Sequence, residues 1–242
     1  MQKLSWSFSV APLAAPVGVT RWGHFGTPVV LFASAGGDSL EPERLQLIQA
    51  LGPLIDSGRI KVYAIDGAAM RVLLAGTATP AERARALFAF DEWVATGLAP
   101  QVHRDCHSDA LELLACGCAF GAASALQALL RHPGLMRGAI GLSGTYDLRP
   151  WISAELAVAM PVSPLQWPGA PPPAEQLARL RTRAVTLACT AGDYEDPAPT
   201  EAMAARLREH GISVNAQVWS PGFDFGFSSW RQMLPRFVSE WL

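Results

Sequence analysis

The stretch Gly117-Cys118-Ala119-Phe120-Gly121 constrains this chain more than any other. An apolar run, Leu111 to Cys116, precedes it, and a small-residue helical run, Ala122 to Leu130, follows. An apolar strand, a Gly-x-x-x-Gly turn and a helix make the layout of a nucleophile elbow. The turn is sharp and the helix packs close to the sheet, so both ends need glycine. The middle residue stands at the apex, exposed above the sheet, where a nucleophile belongs. Here it is Ala119, whose methyl group cannot attack anything.

The rest of the chain reads as alternating strands and helices. Strands are expected at Ser5–Ala11, Val17–Trp22, Thr27–Ala33, Ile60–Ile65, Leu111–Cys116, Gly138–Ser143, Ala184–Cys189 and Val214–Trp219. Leu45, Ile48, Leu51 and Ile55 recur at a helical period across Glu41–Ile55. Thr79-Pro80-Ala81-Glu82 reads as a helix start, with Thr79 as N-cap, and that helix is expected to run to about Thr96 or Val102. Further helices are expected at Pro173–Arg181, Pro199–His210 and Phe227–Leu242, the last interrupted or bent at Pro235. Such alternation indicates an α/β fold of three layers, a mostly parallel sheet with helices on both faces. Residues 151–173 differ in texture, rich in Pro and Trp, and read as an excursion over the sheet with a short helix near Ser153–Ala159.

The 242 residues fit a single domain, 1–242. Half are hydrophobic and 17% are charged, which excludes a disordered chain. The net charge of −2 comes with no basic stripe, so nucleic acid is not an expected partner. No run reaches the roughly 18 apolar residues of a membrane span, and the N-terminus is a poor secretory signal. The four cysteines lack zinc-site spacing and read as reduced, buried thiols of a cytoplasmic protein.

Several segments together resemble the esterase D-like group of the α/β-hydrolases. They are Val29 to Phe32 followed by Gly36-Gly37-Asp38, then Gly58-Arg59-Ile60 and Asp66-Gly67, the elbow, and Arg131-His132-Pro133. Leu142 to Leu148 and Trp230 to Pro235 complete the set, so the resemblance covers most of the chain. It implies carboxylic-ester hydrolysis by a Ser-His-acid triad, with two backbone N–H groups holding the oxyanion. Carried over by position, the nucleophile is Ala119. The acid falls in Ala191–Asp196, with Glu195 the first choice and Asp193 the second. The histidine position, between the last strand and the last helix, is Phe225. No histidine follows His210, so no shift of alignment restores it. The oxyanion donors would be the Phe120 N–H and one N–H from Ala35, Gly36 or Gly37.

Other candidate chemistry is weaker. Cys118, one residue before the apex, is expected to point into the core. Ser34 could touch a ligand from the oxyanion loop but has no evident base. Ser143 ends a strand and is expected to bond locally. His103 and His107 flank Asp105 at a spacing that invites a metal, yet they read as surface histidines; His24 reads as a packed or exposed turn residue and His132 as a helix-end residue. No cofactor and no metal is expected. Three functional readings stay open: a pseudo-esterase binding an acyl or carboxylate ligand in an aromatic pocket (Phe120, Phe223, Phe225, Phe227, Trp167); an ester hydrolase or acyltransferase acting through other residues, or a disabled esterase variant; and an interaction scaffold, perhaps a homodimer through the Trp-rich segment.

Overall fold

The computed structural model describes residues 1–160, 162–168, 171–219 and 222–242. Pro161, Gly169 and Ala170 of the Pro/Trp-rich segment lie outside them. One eight-stranded sheet forms the centre. Its strands are β1 (Lys3–Phe8), β2 (Val17–Trp22), β3 (Thr27–Phe32), β4 (Ile60–Ile65), β5 (Leu113–Cys118), β6 (Met136–Leu142), β7 (Ala184–Thr190) and β8 (Ser213–Trp219), in the order β1-β2-β4-β3-β5-β6-β7-β8. β1 and β2 pair antiparallel with their neighbours, and β3 to β8 run parallel. The expected α/β, three-layer class is what the chain adopts.

Alternation along the strands sorts their side chains into two cores. Val30, Phe32, Tyr63, Leu113 and Ala115 face one side, under the helices Ala68–Leu74, Pro80–Trp93, Phe120–Arg131 and Ala198–Glu209. Val29, Leu31, Val62, Leu114 and Cys116 face the other, under residues 47–55 and the helix Phe227–Glu240. The central strands are buried on both faces, which is why they read as unbroken apolar runs. No helix among the described residues is long and apolar enough to cross a membrane.

Several expected elements change. The first strand is Lys3–Phe8, not Ser5–Ala11. The single helix expected over Glu41–Ile55 is three short turns, Glu41–Arg44, Leu47–Ala50 and Gly52–Asp56, broken where Gln46 takes a left-handed φ of 64°. The helix capped by Thr79 passes through a π turn at Val94–Leu98 and continues to Cys106. Ala68–Leu74 is a helix without any side-chain cap, and nothing in its sequence announces it. Pro235 sits inside the last helix, which runs through it from Phe227 to Glu240.

Residues 149–160 and 162–168 pack on the helical layer. Arg83 donates to the Trp151 carbonyl at 3.2 Å, and Arg206 to the Trp167 carbonyl at 2.9 Å. Trp167 is buried, edge-on to His210. It therefore does not line a pocket at the elbow, as the aromatic pattern suggested.

Candidate functional site

β5 extends two residues past its expected end, because Gly117 and Cys118 pair with Gly141 and Leu142 of β6. The turn is thereby reduced to one residue. Ala119 has φ 51° and ψ −121°, and Phe120 already begins the helix. A non-glycine residue in this region costs on the order of 1–3 kcal/mol and persists only where its surroundings hold it. They do so here: the Ala119 N–H donates to the Leu142 carbonyl at 2.9 Å, and its own carbonyl accepts from Ala122 and Thr145. The flanking glycines are required by close approach. A Cβ on Gly121 would lie 2.6 Å from the carbonyl oxygens of Phe32 and Ala33, and one on Gly117 would overlap the Gly121 carbonyl. The chain thus keeps the strained elbow geometry while its apex carries only a methyl group.

The loop after β3 stands beside the elbow. The Phe120 N–H, expected as a free oxyanion donor, instead donates to the Ser34 carbonyl at 3.0 Å. The Ser34 hydroxyl donates to Glu41, whose other carboxylate oxygen is buried without a hydrogen-bond partner. A Cβ on Gly37 would overlap that carboxylate and push it aside. Arg71 donates to the carbonyls of Gly36 and Gly37 at 3.0 and 3.2 Å and lies 3.6 Å from Asp66, which pins the loop from below. The N–H groups of Ala35, Gly36 and Gly37 have no partner among the described residues. Half of the expected oxyanion frame is therefore open and half is occupied. Glu41 and Arg71 were not singled out from the sequence. Glu41 reads there only as a helix start, and Arg71 belongs to a helix without a signal.

The acid loop follows β7. Glu195 turns back onto the strand end, where its carboxylate accepts from the Thr190 N–H at 2.8 Å and from the Thr190 hydroxyl. Asp193 is exposed and makes no hydrogen bond or ion pair among the described residues. Behind this loop the Tyr146 hydroxyl is buried without a hydrogen-bond partner. Burial pushes its ionisation up, and Cys189, Cys118 and Glu195 add to the shift.

The loop after β8 carries Phe225 at the position where the resemblance put histidine. Ser220 and Pro221 lie outside the described residues. Phe225 is 45% exposed and meets Trp230 edge-on, with ring centroids 5.2 Å apart. Trp230 is buried, and its indole N–H donates to the Ser143 hydroxyl at 2.9 Å. Cys118 is buried too. Burial, Cys116 and Glu41 push its thiol well up, so the one thiol beside the apex is held in its unreactive form.

The five histidines of the chain are all elsewhere. His24 precedes β3, His103 and His107 precede β5, His132 precedes β6 and His210 precedes β8. Residues that lead into parallel strands lie at the edge of the sheet opposite the elbow, a strand length or roughly 20 Å away. His103 bonds the Leu111 carbonyl at 2.9 Å, and His107 ends its helix with φ 53°. Asp105 does not join them as a ligand, because its carboxylate is held by Lys61 and Tyr63 at 2.7 Å each. Asp91, Glu92 and His132 bring potential ligand atoms together, but Arg131 is paired with both carboxylates and a cation would have to displace it.

No protein-family model matches the chain, and no curated protein matches it. Solved structures do. A ferulic acid esterase superposes with a TM-score of 0.71 at 13% identity, over 98% of this chain and 95% of that one. An S-formylglutathione hydrolase from Agrobacterium tumefaciens gives 0.66 at 11% identity, over 98% and 93%. An esterase from Pyrobaculum calidifontis gives 0.65 at 14% identity, over 99% and 84%. The fold is that of the α/β-hydrolases. On this fold Glu195 lies in the loop after β7, Ala119 stands between β5 and the helix that follows it, and the five histidines lie in segments that lead into strands.

Proposed function

We propose that this α/β-hydrolase homologue does not hydrolyse esters, and that its elbow serves as a binding floor for an acyl or carboxylate group. One observation carries the reading: the elbow edge of the sheet has neither a nucleophile at its apex nor any imidazole. Removing triad members from a serine hydrolase leaves about 10³–10⁴-fold over water, from the oxyanion hole and binding alone. Here the Phe120 N–H is engaged by Ser34, so even that residue of activity should shrink. The free N–H groups of Ala35 to Gly37 remain to meet a ligand oxygen. Four unpaired cysteines support a cytoplasmic setting.

A second reading is favoured by the Ser34–Glu41 pair, a hydroxyl with a carboxylate acceptor beside the apex. In it, Ser34 performs ester hydrolysis or acyl transfer. Hydrolysis of p-nitrophenyl acetate separates the two. The first reading expects wild type and A119S to stay at the buffer rate, and the A119S/F225H double variant to gain turnover. Wild-type turnover that disappears in S34A and E41Q would establish the second reading. Strong activity in A119S alone would mean that a base is already present.

A further inference from the structure

A cavity of about 890 Å³ lies away from the elbow, at the opposite edge of the sheet, where β3, β4, β5 and β6 begin. Sites for small organic ligands span roughly 300–1,000 Å³. Lys61 and Asp105 line the cavity and belong to a buried charge cluster. Lys61 lies 2.7 Å from the Asp105 carboxylate and donates to the Asp105 carbonyl at 2.8 Å. Arg21 approaches the same carboxylate at 3.8 Å, and its Nε–H is buried without a hydrogen-bond partner. Lys61 and Arg21 are only 4% and 9% exposed, so one carboxylate faces two buried cations.

The walls do not balance this excess. Glu112, the other acid lining the cavity, is taken by Arg183 at 2.9 Å. Arg59 lines the cavity, and its side chain has no hydrogen bond or ion pair among the described residues. Beside these groups stand two large apolar side chains turned to solvent, Phe25 at 72% and Leu111 at 37% exposure. Buried positive charge without a counter-ion is costly, and a concave low-dielectric wall focuses its field outward.

From this geometry we propose that the cavity is a second binding site, separate from the elbow, for a small organic anion with a flat apolar body. The head group would sit between Arg59 and Lys61, and the body against Phe25 and Leu111. The site needs no part of the elbow, so it stands whatever the elbow does.

The probe is 1-anilinonaphthalene-8-sulfonate, which has an anionic head on a flat ring system, with neutral N-phenyl-1-naphthylamine as its uncharged counterpart. Cys106 is the local reporter. It lines the cavity, and it is the one cysteine that is not buried. The sulfonate should bind the folded protein and slow N-ethylmaleimide labelling of Cys106, read by mass spectrometry. R59E should weaken sulfonate binding by about tenfold or more and leave the neutral compound unaffected. F25A should weaken both. The Arg59 side chain is exposed and without a partner, so R59E keeps the fold, which an unchanged melting curve verifies. The proposal is overturned by any of three results: no sulfonate binding, binding that leaves Cys106 labelling unchanged, or an R59E variant that binds the sulfonate as wild type does. Equal loss of both compounds in R59E would also overturn it, since the site would then not read charge.

Discussion

The Phe120 N–H and the Ser34 carbonyl are joined by a 3.0 Å hydrogen bond across the mouth of the elbow. In a working acyl-transfer site that N–H must be free to meet a developing oxyanion. Here it closes a link between the elbow and the loop after β3, and Ser34 continues the link through its hydroxyl to Glu41. Opening the site would require breaking that bond. The residue after the apex thus serves structure.

If strain at the apex no longer serves a nucleophile, relieving it should stabilise the protein. Ala119→Gly removes the Cβ from a residue at φ 51°. The expected gain is about 1 kcal/mol, or a Tm rise of roughly 2–4 °C for a chain of this size. Differential scanning calorimetry reads it, and a lower Tm would show that Ala119 is not strained.

The opposite outcome is expected two residues on. Gly121→Ala places a methyl group 2.6 Å from two backbone carbonyl oxygens that β3 holds in the sheet. Backbone cannot yield as a side chain can, so the loss should be about 3 kcal/mol, measured by urea denaturation. A near-neutral result would mean that the helix can lift off the sheet.

Ser143→Ala tests the anchor beneath Phe225. It removes the acceptor of the buried Trp230 indole N–H. An unsatisfied buried donor costs about 1–3 kcal/mol. Chemical denaturation of S143A should register that loss, and unchanged stability would show that the indole finds another partner.

Asp105 gives the pH dependence its sign. Burial opposes its ionisation, but Lys61, Tyr63 and Arg21 outweigh burial and hold the carboxyl below its ordinary value. Asp147, hydrogen-bonded by Arg149, is lowered as well. A carboxyl lowered in the fold contributes stability that is present above the unfolded value, about 4, and is lost as pH falls through the folded one. Thermal stability should therefore hold from neutral pH to about 5 and fall below about 4. Asp105→Asn should cost roughly 3–5 kcal/mol at neutral pH, because it leaves two buried cations unpaired. It should also flatten the acid limb of the curve.

The central strands and the elbow were legible because they obey local rules: apolar runs bounded by glycine, and a Gly-x-x-x-Gly turn whose ends admit no side chain. The vacancy at Ala119 and the phenyl group of Phe225 were legible as well, since each is a residue type at a position. Other features were not. Glu41–Ile55 has an unbroken helical period, yet Gln46 turns left-handed and splits it into three turns that follow the sheet face. Packing outweighed a weak propensity there. Trp167 looks like pocket lining in the sequence and is buried against His210 in the fold.

From its own letters the chain specifies an α/β sheet, a sharp elbow and the residue type at its apex, because turns and strand periods are enforced within a few residues. Only packing decides that Ser34 takes the Phe120 N–H, that Glu41 lies against Gly37, and that five histidines from four connections fall at one far edge. It also decides that Lys61, Arg21 and Asp105 meet beneath an open cavity. Those relationships join residues tens of positions apart. Strand direction and sheet order bring them together, and no local period records either.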